Sequence, residues 1–292
     1  MKKSLTYLPD NIRENLAWIV KELRARTPAE MIILFGSYAR GDYVVRDIRT
    51  EDGCTTVFES DYDVLIIIPD GYKTSPRDME SDLGSHFAQI SSISVSPIVH
   101  SYSEAKERFE RGNYFFYDIQ REGRVLYDSG RFKLPKKRTK ISKQERYERA
   151  KEYFDEYMDD IERFHKHYLM DLELQTNSRN NIAAFMLHQV AEKTYNMLNL
   201  VFTDYKPKTH NLKTMRRRTG AYKKGLREIF PLRPTAEKEL FELFCTFYIL
   251  SRYKLHFSVD RATLDTLAER VERLRRLAEE ACLEKINSYL ES

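Results

Sequence analysis

Cysteines and long apolar runs are scarce in this 292-residue chain, and each scarcity excludes a class of protein. The three cysteines, Cys54, Cys245 and Cys282, are odd in number and far apart, and no C-x-x-C pair occurs. The sequence therefore predicts neither a disulfide framework nor a zinc site. No run approaches the roughly 18 apolar residues of a membrane span, and no apolar stretch follows the two N-terminal lysines. We expect a cytoplasmic protein without an export signal or a membrane partner.

Charge is abundant but nearly balanced, and its distribution along the chain is uneven. The net charge of +4 is too small to argue by itself for nucleic-acid binding. Up to Lys133 the chain has 18 Lys and Arg against 21 Asp and Glu, whereas the remainder has 31 against 24. Much of the basic excess lies in residues 133–140 and 213–227. We expect these segments to be either solvated surface or contacts with phosphates.

Apolar spacing in the first part of the chain predicts a mixed α/β domain. Helical spacing over residues 9–26 predicts an amphipathic helix. Short apolar runs at residues 31–35 and 64–68, each followed by turn residues, indicate buried strands. Residues 93–99 indicate a third strand, and Pro97 places that strand at a sheet edge or at a bulge.

The pattern changes after residues 134–143, a basic segment with a proline that is typical of an exposed linker. Beyond the linker, helical periodicity predicts an all-helical bundle. The sequence thus divides into an α/β domain at 1–133, the linker, and a helical domain at 144–292. The predicted helices cover residues 144–174, 178–203, about 209–227, 235–256 and 261–290.

Gly36-Ser37 and Asp61-Tyr62-Asp63 are the residues in which we expect chemistry. Side chains alternate along a strand, so Asp61 and Asp63 face the same side and can share a cation. Mg²⁺ is held by one or two carboxylates together with the phosphates of a nucleotide. Gly36 allows the backbone to approach a triphosphate, and Ser37 offers its hydroxyl and amide to a phosphate oxygen. This set predicts phosphoryl-type transfer assisted by magnesium.

The run Leu34-Phe-Gly-Ser-Tyr-Ala-Arg-Gly-Asp42, followed by Ser60-Asp-Tyr-Asp-Val-Leu-Ile66, resembles the signature of minimal nucleotidyltransferases of the polymerase-β superfamily. The resemblance implies transfer of a nucleotidyl group, usually AMP from ATP or another nucleoside triphosphate. It also implies Mg²⁺, with Mn²⁺ as an alternative, on Asp61 and Asp63, and nucleotide phosphates held by the glycine-serine pair. Arg40 and Asp42 match further positions of the signature. The resemblance implies that they support nucleotide binding, and the alternative for Arg40 is a surface ion pair.

The chain departs from the family pattern in two places. Between Ser37 and Asp61 lie 23 residues, about twice the family's usual interval, and a hairpin predicted over residues 44–58 accommodates them. The family's third carboxylate lies on the following strand, but residues 93–100 contain no acid. His100, at the end of this strand, is either a substitute general base or a surface residue. We therefore expect either a working transferase or an impaired one.

The helical part resembles a HEPN domain, the partner with which minimal nucleotidyltransferases are repeatedly found. The resemblance rests on residues 183–193, 205–212 and 251–254, and it implies a homodimer formed through this domain. Ribonucleases of that family use an arginine and a histidine separated by four to six residues. Arg252 and His256 are the matching pair, although only three residues separate them. We expect them one turn apart on one helix, as a ribonuclease site, a nucleotide-binding pair or a helix-end cation pair.

The two resemblances together imply a module like those of toxin–antitoxin systems, in which the transferase silences its helical partner by adding AMP. We expect the acceptor to be a protein tyrosine, with Tyr253 beside Arg252 as the nearest candidate, or an RNA. Two alternatives are open. One is a regulatory protein that binds nucleotide without turnover, and the other is a HEPN ribonuclease regulated by the N-terminal domain.

His188 and Glu192 are two further polar residues that share a predicted helix. One helical turn separates them, so their side chains lie on the same face. We expect a hydrogen-bonded pair that joins helices, and the alternative is a ligand site.

Overall fold

The computed structural model of the chain describes residues 1–45, 47–51, 54–58, 60–90, 93–111, 114–135, 141–174, 180–207 and 209–291. The chain forms two units. The first contains Met1–Ile48 and Val57–Lys140, and the second contains Arg49–Thr56 and Ile141–Ser292. Residues 136–140 of the expected linker lie outside the described residues. The same is true of Asp52 and Gly53, the centre of the expected hairpin turn.

The first unit is built on a mixed sheet flanked by helices. The helices and strands up to Asp128 are α1 (Asp10–Arg26), β1 (Met31–Phe35), α2 (Gly36–Arg40), β2 (Asp47–Glu51), β3 (Cys54–Phe58), β4 (Tyr62–Ile68), α3 (Pro76–Ile90), β5 (Val95–Ser101), α4 (Tyr102–Arg111), α5 (Tyr114–Glu122) and β6 (Arg124–Asp128). All of them belong to the first unit except residues 49–56 of β2 and β3, which are grouped with the second. Four strands form a sheet of order β5-β4-β1-β6. Strand β4 is parallel to β5, whereas β1 is antiparallel to both β4 and β6. The expectation of an α/β fold for this part of the chain is confirmed.

Strands β2 and β3 form a separate two-stranded sheet. Paired strands were expected between Ser37 and Asp61, and they are present. The first of them begins at Asp47, however, and not at Val44 as the β-branched residues indicated. The inserted residues therefore form structure of their own and leave β1 and β4 hydrogen-bonded to each other.

Both faces of the four-stranded sheet are covered, which explains the continuous apolar runs of β1 and β4. On one face, alternating residues such as Leu34 and Ile66 share a buried cluster with apolar side chains of α1 and α3. On the other face, the ring of Phe35 meets the ring of Phe115 of α5 edge to face, with 5.4 Å between centroids. Any polar side chain that points from these strands into the unit therefore enters a desolvated space.

Strand β5 lies at one edge of the sheet, as Pro97 predicted. Proline has no backbone N–H and cannot donate to a ladder on both sides, so an edge tolerates it. Pro97 lies beside Val64 in the parallel register of β4 and β5. This register fixes which residue of β5 stands next to each residue of the Asp61-Tyr62-Asp63 segment.

The second unit is mostly helical, as expected. Its helices are α6 (Lys143–Leu174), α7 (Asn181–Thr203), α8 (Leu212–Thr219), α9 (Thr235–Tyr253) and α10 (Arg261–Glu291). They enclose a large apolar cluster in which α7 is buried along most of its length. Two boundaries differ from the predictions, because α8 ends at Thr219 and α9 ends at Tyr253. Across the described residues, no helix is both long enough and apolar enough to cross a membrane.

We expect Phe244→Ala to destabilise the second unit strongly. The Phe244 ring is fully buried and contacts Phe247 at 5.5 Å and Phe230 at 5.6 Å between centroids. Loss of a buried phenyl group costs about 3–5 kcal/mol. The matched control is Ile249→Ala on the same helix, at a side chain that is 57% exposed, and its effect should stay within about 0.5 kcal/mol. Urea unfolding followed by circular dichroism measures both, and similar losses of stability would contradict the packing described.

Candidate functional site

Phe35, Asp63 and Ser96 lie in register on three neighbouring strands, at the end of the sheet where β1 ends. In the antiparallel pairing Phe35 lies opposite Asp63, and in the parallel pairing Ser96 lies beside Asp63. Residues in register point to the same face of a sheet, so these three side chains share one face. Asp61 immediately precedes β4, and continued alternation of the extended backbone would place its side chain on the same side. Both carboxylates are partly exposed, so they stand at an accessible edge and not in the core.

Gly36 brings the backbone against the carboxylate of Asp63. Its φ of +72° lies in the left-handed region, which favours glycine. A Cβ atom at this position would lie 2.3 Å from Oδ2 of Asp63, closer than two such atoms can approach. The turn from β1 into α2 therefore requires glycine for two independent reasons. Ser37 follows Gly36 directly, and its side chain is partly exposed.

The end of the short helix α2 is held by groups from elsewhere in the unit. The hydroxyl of Tyr7 donates to the carbonyl oxygens of Tyr38 at 2.8 Å and of Ala39 at 3.0 Å. Burial raises the pKa of this hydroxyl, although the nearby Arg124 opposes the shift, so Tyr7 stays a neutral donor at physiological pH. Nε of Arg124 also donates to the carbonyl of Ala39, at 3.4 Å. Carbonyls that a five-residue helix leaves unpaired are thereby satisfied.

A stack of three tyrosines fixes α2 to the metal-binding segment predicted from the sequence. The ring of Tyr38 stacks on Tyr43 at 4.4 Å and on Tyr62 at 4.1 Å between centroids. Tyr62 is the middle residue of the Asp-Tyr-Asp segment, so its ring points away from the face that the two carboxylates share. Nδ2 of Asn15 donates to the Tyr62 hydroxyl at 3.1 Å. The alternation of acids and tyrosine in residues 61–63 is the one sequence signal that points to these rings.

Arg40 and Asp42 lie together at the surface. Nε of Arg40 is 3.0 Å from Oδ2 of Asp42, and Nη1 of Arg40 is 3.7 Å from Oε2 of Glu122. Both side chains are exposed. This geometry is the surface ion pair given as the alternative for Arg40. The role of the two residues in nucleotide binding stays a prediction.

His100 is buried and lies far along the sheet from the two acids. In the register of β4 and β5 it stands beside Ile67, four residues beyond the position level with Asp63. Four residues of a strand span about 13 Å. Nδ1 of His100 is 2.9 Å from Oε2 of Glu104, and its ring lies 5.5 Å from that of Phe116. The structure does not bring His100 to Asp61 and Asp63, and the expectation of a surface residue is wrong because this face of the sheet is covered.

Ser96 occupies the place on β5 that is level with Asp63. Its side chain is 1% exposed, and its hydroxyl has no hydrogen-bond partner among the described residues. The described part of β5 carries no carboxylate, as the sequence predicted. The side chain of β5 that stands level with Asp63 is therefore a hydroxyl and not an acid.

The residues present fit a Mg²⁺ ion that is held jointly with a nucleotide. Asp61 and Asp63 bring two carboxylates to the start of β4, and the lack of a Cβ on Gly36 lets the backbone lie against the Asp63 carboxylate. Within the described residues, no group of three or more His, Cys, Asp or Glu is gathered to hold a metal ion. Magnesium usually keeps waters and takes only one or two carboxylates plus substrate phosphates, so two acids are sufficient.

The expected HEPN residues lie where α9 ends. Nε of Arg252 donates to the carbonyl of Tyr248 at 2.9 Å, and Tyr253 is 75% exposed. His256 lies in a turn beyond the helix. The expectation that Arg252 and His256 lie one turn apart on a helix is therefore wrong. The chain leaves the helix at Lys254 so that Phe257 can enter the core, where its ring meets Phe247 at 5.7 Å.

Two groups of residues thus stand out, one where β1 and β4 meet and one at the end of α9. A scan against protein-family models finds no match for the chain, and a search of curated proteins finds no relative. A function for either group is therefore argued from its own chemistry, together with the signature that the residues resemble.

Comparing Gly36→Ala with Gly71→Ala tests the contact between Gly36 and Asp63. Both glycines have a φ of +72°, but a Cβ on Gly71 meets nothing within 4 Å. Alanine in the left-handed region costs about 1–2 kcal/mol, and this is the full effect expected at Gly71. Gly36→Ala should cost more and should also weaken Mn²⁺ binding, because Asp63 must move. Thermal unfolding and calorimetric titration measure the two effects, and equal results for both variants would rule out the contact.

Proposed function

We propose that the first unit is a magnesium-dependent nucleotidyltransferase domain and that the second is a HEPN domain. The reaction we propose is transfer of AMP, or another nucleotidyl group, from a nucleoside triphosphate to an acceptor. The observation that carries the proposal is the pair Asp61 and Asp63 at the start of β4, with the Gly36 backbone packed against Asp63. The resemblance of residues 34–42 and 60–66 to the family signature supports it.

Each residue of the site has a role in this proposal. Asp61 and Asp63 would hold Mg²⁺, which supplies charge stabilisation at the transferring phosphoryl group when it is bound. Gly36, which has no side chain, would allow the backbone to approach a triphosphate. The Ser37 hydroxyl and amide would donate to a phosphate oxygen. The tyrosine stack of Tyr38, Tyr43 and Tyr62 keeps α2 at a fixed distance from the acids, and such positioning accounts for much of the rate in phosphoryl transfer.

The acceptor we propose is a protein tyrosine, with Tyr253 as the candidate within this chain. A hydroxyl can accept AMP only if it is accessible, and Tyr253 is 75% exposed. The partners we propose are a nucleotide, a protein or RNA acceptor and a second copy of the chain bound through the helical unit. The cellular setting would be a toxin–antitoxin-like module.

A second candidate is a regulatory protein that binds nucleotide without turnover. Ser96 favours it, because this hydroxyl stands level with Asp63 on the strand where the resemblance implies a third carboxylate. A serine can hydrogen-bond a ligand but cannot take a proton from an acceptor hydroxyl at neutral pH. ATP binding without any product would support this candidate.

Removing both acids tests the transferase. With α-labelled ATP and Mg²⁺, the full chain should transfer label to protein, detected by gel and by intact mass. Loss of a few kcal/mol of metal-assisted stabilisation predicts that Asp61→Ala/Asp63→Ala is slower by about a hundredfold or more. Asp82→Ala removes an exposed acid from α3 and should label like wild type. Tyr253→Phe should lose the label if Tyr253 is the acceptor. Equal labelling by wild type and the double variant would exclude transfer at this site.

Ser96→Asp separates the two candidates. A third carboxylate beside Asp63 would repel it without metal and would bind a divalent ion more tightly. We expect Mg²⁺ or Mn²⁺ to raise the melting temperature of Ser96→Asp more than that of wild type, and labelling to increase. Ser96→Asn has the same size without the charge and should show neither effect. If Ser96→Asp responds to metal no more than Ser96→Asn, the acids do not form a metal site.

A further inference from the structure

One side chain from the segment before α1 holds the carboxyl end of α2. The hydroxyl of Tyr7 is 2.8 Å from the carbonyl oxygen of Tyr38 and 3.0 Å from that of Ala39, so one proton is shared between two acceptors. The Tyr7 ring also lies against Gly41, the left-handed residue that ends α2, because a Cβ atom on Gly41 would lie 3.5 Å from Cδ2 of Tyr7. Tyr7 therefore contacts both the last carbonyls of α2 and the turn that follows them.

The segment that carries Tyr7 is anchored independently of α2. Lys2 pairs with Arg124 of β6 in a parallel bridge, and the N–H of Val125 donates to the Lys2 carbonyl at 3.0 Å. Leu8 is 3% exposed and belongs to the apolar cluster that the sheet forms with α1 and α3. The position of the Tyr7 hydroxyl is therefore set by contacts that do not include α2.

Arg124 supports the Tyr7 side chain from the edge strand β6. Its guanidinium carbon lies 4.5 Å from the centroid of the Tyr7 ring, a cation–π contact, and its Nε donates to the Ala39 carbonyl at 3.4 Å. Arg124 is in register with Leu34 of β1, two residues before Gly36. We call these two side chains the Tyr7–Arg124 clamp. The clamp joins α2 both to β6 and to the segment before α1.

A helix as short as α2 depends on contacts of this kind. It has five residues, and isolated helices shorter than about 12 residues are marginal in water. The N–H groups of Gly41 and Asp42 donate to the Ser37 carbonyl at 2.8 and 3.2 Å, whereas the carbonyls of Tyr38 and Ala39 accept from the clamp. Ser37 lies two residues from Ala39, which is about 3 Å along a helix axis. A shift at the carboxyl end of α2 therefore moves Ser37 as well.

We propose that Tyr7 is a positioning residue for the Ser37 hydroxyl, with Arg124 as the residue that holds Tyr7. This inference rests on the proposed function, in which that hydroxyl binds a nucleotide phosphate. Tyr7 acts on the phosphate through α2 and not by direct contact. When the competent conformation of a binding group is only partly populated, the apparent affinity falls by that fraction. Loss of the clamp therefore weakens nucleotide binding without changing the β1–β4 pairing that places Asp63.

Tyr7→Phe in the full chain tests the inference, because it removes the hydroxyl and keeps the ring on Gly41. Amide hydrogen exchange at Gly41 and Asp42 should become about three- to tenfold faster, the factor that one lost hydrogen bond corresponds to, and exchange in β1 should stay unchanged. The dissociation constant for ATP with Mg²⁺, measured by calorimetry well below the melting temperature, should rise by a similar factor. The matched control is Tyr72→Phe, at a tyrosine that follows the other end of β4 and is 42% exposed, against 39% for Tyr7. It should exchange and bind like wild type.

A double-mutant cycle with Ser37→Ala separates positioning from a general loss of stability. If Tyr7 acts through the Ser37 hydroxyl, Tyr7→Phe should weaken ATP binding less in the Ser37→Ala background than in wild type. Equal effects in both backgrounds would overturn the inference, and so would unchanged amide exchange at Gly41. If wild type binds no ATP, the proposed function is wrong and this inference fails with it. If wild type and Tyr7→Phe bind ATP equally well, this inference alone fails.

Discussion

The close approach of the Gly36 backbone to the Asp63 carboxylate is the constraint on which the geometry of the first unit depends. It needs a residue with φ near +72° and no Cβ, at the point where β1 ends. It also needs β1 hydrogen-bonded to β4 so that Phe35 lies opposite Asp63. The stack of Tyr38 on Tyr62 then fixes α2 from the other side of the strand. Backbone conformation, strand register and ring stacking thus together fix the position of the Asp63 carboxylate.

In the second unit, buried polar side chains along α7 differ in whether they have a hydrogen-bond partner among the described residues. Asp204, at the end of α7, is buried but accepts from the Tyr153 hydroxyl at 2.6 Å and pairs with Nη1 of Arg149 at 3.1 Å. Its charge is therefore matched within the fold. His188, nearer the other end of α7, is as deeply buried but has no hydrogen-bond partner in the described part of the chain. The expected His188–Glu192 hydrogen bond is therefore wrong, because Nδ1 of His188 is 3.9 Å from Glu192. Tyr195 and Asn196 of the same helix also have buried polar atoms without a hydrogen-bond partner among the described residues, so α7 carries both matched and unmatched polar groups.

The sequence pattern was enough to predict the strands whose formation depends on nearby residues. Apolar runs predicted β1 and β4, and Pro97 predicted an edge strand, because a missing N–H acts wherever the strand lies. The position of His100 could not be predicted, because its burial depends on α5 covering that face. The end of α9 at Tyr253 could not be predicted either, because it depends on the burial of Phe257 against Phe247.

The free-energy cost of a charged side chain differs between the positions of Asp61 and Asp63 and the position of Ser96. Asp61 and Asp63 are partly exposed, so solvent lowers the free-energy cost of their charges when no cation is bound. Ser96 is 1% exposed, and a carboxylate there would be desolvated next to Asp63 unless a metal or a proton neutralised it. A serine at this place avoids that cost in the absence of metal. In the proposed function, nucleotide and metal binding would depend on Gly36 and the two acids, whereas turnover would need a base other than a carboxylate of β5.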